Sequence, residues 1–241
     1  MSGHSKWSTI KRKKEKTDAQ RANIFTKIGR EMAVAVREGG ADPAANSKLR
    51  DLIAKAKSLN VPNDNIDRAI KKAGEKDAGN YENITYEGYG PSGVAVMVDC
   101  LTDNRNRTAG DLRHYFDKCG GNLGQTGSVG FLFERKGIIV IENTGVDEEK
   151  LMEDALEAGA SDFEAQQDAF EITTDPNAVS AVREALEQKG YAPASAEAEY
   201  LPTTTAKIDD PELKIKMEKL LDMLEDNDDV QDVWHNWEEL V

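Results

Sequence analysis

Nine cations, Lys6, Lys11, Arg12, Lys13, Lys14, Lys16, Arg21, Lys27 and Arg30, stand in the first thirty residues against only Glu15 and Asp18. Cations this closely spaced suit a polyphosphate, because each one that meets a phosphate releases a condensed counterion. In the arm SGHSKWSTIKRKK the hydroxyls of Ser5, Ser8 and Thr9 and the backbone amides can also bond phosphate oxygens. Trp7 can either stack on an unpaired base or pack under the helices that follow, and both readings stay open. Lys6, Lys11, Arg12, Lys13, Lys14 and Lys16 are the expected phosphate contacts, with Arg21, Lys27 and Arg30 continuing them. If about five of them engage duplex, log affinity falls against log salt with a slope of roughly −4 to −5. A second cluster, TDNRNRT (residues 102–108), sets Arg105 and Arg107 between a strand end and a helix start. It is either a pair of guanidinium forks for phosphate or a polar turn in which Asp103, Asn104 or Thr108 merely caps the helix.

CGGNLGQTGSVG (residues 119–130) offers backbone amides that suit an anion, but the order is wrong for a nucleotide enzyme. A helix precedes the glycines and a strand follows, and the Lys-Ser/Thr ending of a P-loop is missing, so the segment reads as a helix C-cap and loop. His114 and Cys119 are five apart, off one helical face, while His4 and His235 sit at opposite ends of the chain. No nucleophile elbow, Cys-x-x-Cys or His-Glu-x-x-His occurs, so no catalytic residue, metal site or cofactor is expected. Cys100 and Cys119 read as reduced, buried thiols.

The charge is divided along the chain. Residues 1–76 hold 18 Lys+Arg against 9 Asp+Glu, net +9, and residues 77–241 hold 13 against 36, net −23. A basic head joined to acidic lobes points to a polyanion, nucleic acid foremost, gripped by one end. No stretch has signal-peptide or membrane-span character, which predicts a cytoplasmic protein without a membrane partner. The acidic C-terminal segment is expected to orient the basic lobe or to dock a basic protein.

To place these groups, the head must fold as three helices: one from a cap at Thr17 to Gly39-Gly40, one opening at Asp42-Pro43, and one from Pro62 to Gly74. It continues the pattern with Lys48, Arg50, Lys55, Lys57, Arg68, Lys71 and Lys72. Residues 75–83 read as a linker. Beyond it, strands near 94–101, 137–142, 163, 170–173, 196–201 and 230–234 alternate with helices near 108–118, 147–158, 175–189 and from 210. The reading is multidomain α and α+β. A basic helical domain with its arm (1–76) precedes two ferredoxin-like α+β domains, one discontinuous (84–135 plus 202–241) and one inserted into it (136–201).

SGHSKW, YEGYGPSG (residues 86–93), TDNRNRT and CGGNLGQTGSV, in this order, resemble the hallmarks of the YebC/PmpR family, with the likeness running from Ser2 to the acidic C-terminus. The resemblance implies three domains and a non-enzymatic DNA-binding transcriptional regulator. Mitochondrial relatives in that family are translational activators, so a factor acting on ribosomal or transfer RNA, in contact with the ribosome rather than the transcription machinery, is the alternative. An acidic protein-interaction scaffold is a further one.

Overall fold

The computed structural model describes residues 7, 10, 18–74 and 80–238. Ile28, Met32, Ala35 and Val36, spaced by helical turns, bury one face of α1 (Asp18–Gly39). Gly40, at φ +84°, lets the chain leave it. The next helix, α2 (Ser47–Ser58), starts later than Asp42-Pro43 suggested. Asp42 instead accepts from Ala44 N at 2.9 Å and closes a turn. The cap is Asn46, which accepts from Leu49 N at 3.1 Å and donates from Nδ2 to the carbonyls of Ala35 and Gly40, each at 2.8 Å. One side chain thus caps α2 and fixes its corner with α1. The third helix, α3 (Asn63–Ala73), follows Pro62 and ends at Gly74, and Leu49, Leu52, Ile66 and Ala73 complete a core shared by all three.

Glu82–Tyr89 (β1) pairs with Ala95–Thr102 (β2), so Glu82 and Asn83 belong to a strand and not to a linker; residues 75–79 lie outside the described ones. Arg105–Lys118 (α4), Asn122–Leu123 (β3), Phe133–Glu142 (β4), Glu148–Ala158 (α5), Asp162–Ala165 (β5), Ala169–Thr174 (β6), Val179–Gln188 (α6), Pro193–Pro202 (β7), Pro211–Asp226 (α7) and Val230–His235 (β8) follow. The described chain is therefore mixed α+β, with seven α-helices and two four-stranded antiparallel sheets ordered β3-β1-β2-β8 and β5-β6-β4-β7. Asp210-Pro211 opens α7 as expected, with Asp210 accepting from Glu212 N. Asp175-Pro176 does not open α6, because Asp175 is spent on a turn with Asn177 N.

Alternation on β2 sends Val96, Val98 and Cys100 to one face, against Leu112 and Phe116 of α4 and Met217, Leu220 and Leu224 of α7. Ala95 and Met97 point the other way, onto Val129 and Phe133. In the second sheet Ile139, Ile141 and Ile172 meet Leu151, Ala155, Val182 and Leu186 of α5 and α6. Ion pairs join the helical lobe to this sheet and to α6 packed on it. Lys55 Nζ lies 2.9 Å from Glu197 Oε1 and 3.5 Å from Glu31 Oε1, and Arg50 pairs with Glu184 at 2.9 Å. Burial alone would lower the Lys55 pKa, but Glu197, Glu31 and Asp232 around it outweigh burial and raise it.

Candidate nucleic-acid interface

Trp7 and Ile10 are buried together with Ile138, Val140, Ala169 and Ala194. These are residues of β4, β6 and β7 on the face opposite α5 and α6, so at these two points the arm is fastened to the second sheet. Burying two such side chains contributes about 2 kcal/mol each. The structure thus places Trp7 in packing. Lys6, Lys11, Arg12, Lys13, Lys14 and Lys16 lie outside the described residues, as does the side chain of Arg21.

Lys27 and Arg30 face the end of α7. Lys27 Nζ donates to Glu225 O at 2.5 Å, Arg30 Nη1 to Asp228 O at 2.7 Å, and Asn23 Nδ2 to Asp226 O at 2.9 Å. Cationic donors are favourable where a helix C-terminus gathers unpaired carbonyls and partial negative charge. Arg30 Nη1 also lies 2.7 Å from Asp229 Oδ1. Arg107 reaches the same carboxylate, its Nη2 at 2.8 Å from Oδ2 and 3.0 Å from Oδ1, and it pairs with Asp103 at 2.9 Å.

Thr108 Oγ1 is 2.8 Å and Thr102 Oγ1 3.3 Å from Asp229 Oδ2. The Asp229 side chain is 5% exposed, that of Arg30 19% and that of Arg107 45%. Burial pushes the Asp229 carboxyl up, but the bonds from Arg107, Thr108 and Arg30 outweigh it and its pKa is lowered. The structure therefore brings Lys27, Arg30 and Arg107 together around one acidic corner of the same chain.

Asn104 caps α4 by accepting from Arg107 N at 3.1 Å, so both arginines of TDNRNRT lie in the first helical turn. Their fates differ. Arg105 is exposed, with no acidic partner among the described residues, while Tyr86 Oη donates to its carbonyl at 3.4 Å.

The glycine segment is a clamp on an internal anion. Gly127 N donates to Glu87 Oε1 at 2.7 Å, and Val129 N and Gly130 N donate to Oε2 at 2.8 and 2.7 Å. Burial raises the Glu87 pKa, the three amides oppose it, and the net shift is downward. Gly121 sits where a Cβ would come within 2.3 Å of Tyr89 O, so only glycine lets the loop lie against β1. YEGYGPSG supplies the carboxylate and CGGNLGQTGSV the amides. Neither acceptor, Glu87 or Asp229, was picked out from sequence; a lone acid in a strand and one in an acidic run carry no spacing signal.

Of the other basic residues of the helical lobe, Lys48 is paired with Glu38, and Arg50 and Lys55 are in the pairs already described. On α3, Arg68, Lys71 and Lys72 are exposed at i, i+3 and i+4, hence on one face. Lys57, Lys71 and Lys72 have no acidic partner among the described residues. Asp64 and Asp67 on the same helix moderate the charge of this face.

Among the described residues there is no group of three or more His, Cys, Asp or Glu that could hold a metal ion. No described helix is long and apolar enough to cross a membrane. Cys100 and Cys119 are free and buried, and burial pushes both thiols up.

The domain described as "TACO1/YebC protein N-terminal domain" matches residues 5–76, and "TACO1/YebC second and third domain" matches residues 81–237. A "Probable transcriptional regulatory protein" of Ruminiclostridium cellulolyticum is 62% identical over 241 residues, covering 99% of this chain and 97% of that one. A protein of the same name from Acetivibrio thermocellus is 59% identical over 239 residues, covering 98% and 99%. The crystal structure of a conserved hypothetical protein from Aquifex aeolicus is similar with a TM-score of 0.82 at 47% identity, covering 92% of each chain.

Proposed function

Because the chain belongs to the TACO1/YebC family, we propose that it is a non-enzymatic regulator of transcription that binds DNA through its basic helical lobe and arm. The name shared by its curated relatives supports the regulatory role. The observation that carries the DNA contact is the division of charge together with its placement. The head is net +9, and Arg68, Lys71 and Lys72 stand outward on α3. The sequence adds Lys6, Lys11, Arg12, Lys13, Lys14, Lys16 and Arg21 to the charge of this head, whose Trp7 and Ile10 are fastened to the second sheet, and Arg105 adds a contact from α4. These side chains are of the kind that grips phosphates, and among the described residues of the lobe no set of Asn, Gln and Arg stands out for reading base edges.

In this reading the chain has three units: the helical head, a discontinuous α+β unit built on β3-β1-β2-β8, and an inserted unit. The inserted unit runs β4-α5-β5-β6-α6-β7, and its strand order supports a ferredoxin-like fold.

Titration of a labelled 20-base-pair duplex at several salt concentrations tests the proposal. Wild type is expected to show a log–log salt slope near −4 to −5, and Lys11, Arg12, Lys13 and Lys14 changed together to Ala should flatten it by about 3. Salt-independent binding, or an unchanged slope in the variant, sinks it. A matched RNA hairpin bound more tightly than the duplex would transfer the same surface to RNA.

A further inference from the structure

Three candidate phosphate-binding cations, Lys27, Arg30 and Arg107, are engaged with anionic or carbonyl oxygens at the junction of α7 and β8. Their acceptors match a nucleic-acid backbone in kind. Two guanidiniums converge on one carboxylate, as they would on the non-bridging oxygens of a phosphodiester. Lys27 and Asn23 meet carbonyl oxygens in the next turn.

We propose that Arg30 and Arg107 form a phosphate site which Asp229 fills in the free protein and a nucleic-acid phosphate fills in the complex, undocking the face of α1 that carries Asn23, Lys27 and Arg30 from the end of α7 in the exchange. This rests on the nucleic-acid-binding reading and specifies how that surface is regulated. In the docked state the two guanidiniums are balanced by Asp229 and Asp103, so the acidic lobe masks part of the basic one.

Arg107 is the point of entry because its side chain is 45% exposed, whereas Arg30 and Asp229 become accessible only when α1 moves away. Thr102, at the end of β2, and Thr108, on α4, are fully buried, bond to each other at 2.8 Å and stay in place. A polyanion presents several oxygens at once and releases counterions, which offsets the loss of the internal pairs; salt therefore favours the docked form. The separate pairs from α2 to α6 and β7 keep the helical lobe tethered while this face of α1 opens.

Asp229→Asn in the full chain tests this, since Asn keeps one acceptor and removes the competing charge. Its affinity for the 20-base-pair duplex is expected to rise about tenfold at moderate salt, because the variant gives up no internal carboxylate pair when the two arginines meet phosphate. A folded variant whose affinity is unchanged or lower overturns the proposal.

A second measurement needs no change at Asp229. Thr26→Cys and Asp222→Cys, both exposed positions, carry spin labels while the native thiols stay buried. Saturating duplex should lengthen the distance between the labels, and an unchanged distance overturns the exchange even if Asp229→Asn does not fold. If neither protein binds any polyanion, the functional reading falls and takes this proposal with it. If wild type binds and both tests are flat, the exchange alone falls.

Discussion

Glu87 and Asp229 are both buried carboxylates held below their ordinary pKa by donors, yet they are built from different materials. Glu87 is held by three backbone amides of one loop, none of which can turn away. Asp229 is held by the side chains of α1 and α4, elements far apart in the chain, and its guanidinium partners can rotate to another anion. Amide donors fix a loop in place; side-chain donors make a joint that a competing oxyanion can enter. The first is a structural clamp and the second an exchangeable contact.

The harshest way to break this contrast is Glu87→Ala, which strands three amide donors under the loop. Urea unfolding is expected to show a loss on the order of 3 kcal/mol, unaffected by added duplex. A loss under 1 kcal/mol would show that the loop holds itself.

Acid titration of stability comes next. Glu87 and Asp229 have folded pKa values below their ordinary 4.5 and 3.8, so they stabilise the fold above those values and their contribution is lost as pH falls through the lowered ones. Glu31 runs the other way. Burial raises its pKa above 4.5, with Lys55 opposing and Asp232 and Glu197 reinforcing, so its charged form costs stability that returns as pH falls through the raised value. Thermal scans should therefore show stability rising slightly from neutral into weak acid, then falling below the ordinary carboxylate range. A monotonic fall from neutral pH would count against the Glu31 environment.

The finer discrimination lies within TDNRNRT. Arg107→Ala removes one of two guanidiniums from a buried carboxylate and should cost about 1–2 kcal/mol. Arg105→Ala, at an exposed position without an acidic partner, should stay within about 0.5 kcal/mol and lower duplex affinity a few-fold. Equal stability losses in both would erase the distinction between the paired and the outward arginine.

How far the residues disclosed this depends on the kind of contact. The stripe Ile28, Met32, Val36 made α1 readable, and Pro62 with Gly74 bracketed α3, because periodicity and caps are local. Strand β1 was missed because its inward residue Glu87 reads as polar until the amides of residues 127–130 are brought over it. The cations were legible as charges, but Arg30 meets Asp229 across 199 residues, a pairing that no local pattern encodes. The motif TDNRNRT was noticed for its arginines. Its threonines and Arg107 turn out to serve the buried carboxylate, and Arg105 alone keeps the outward role.

Trp7 and Ile10 find their place on Ile138, Val140, Ala169 and Ala194, side chains that leave the ribosome long after them. Trp7 and Ile10 are thus seated only after residues far downstream of them have been made. Until the strand Pro193–Pro202 has been synthesised and paired, Ala194 is missing from the surface on which Trp7 and Ile10 rest. A chain interrupted before that strand would leave Trp7 and Ile10 with an incomplete seat, so truncated products should associate with cellular polyanions less selectively than the finished protein.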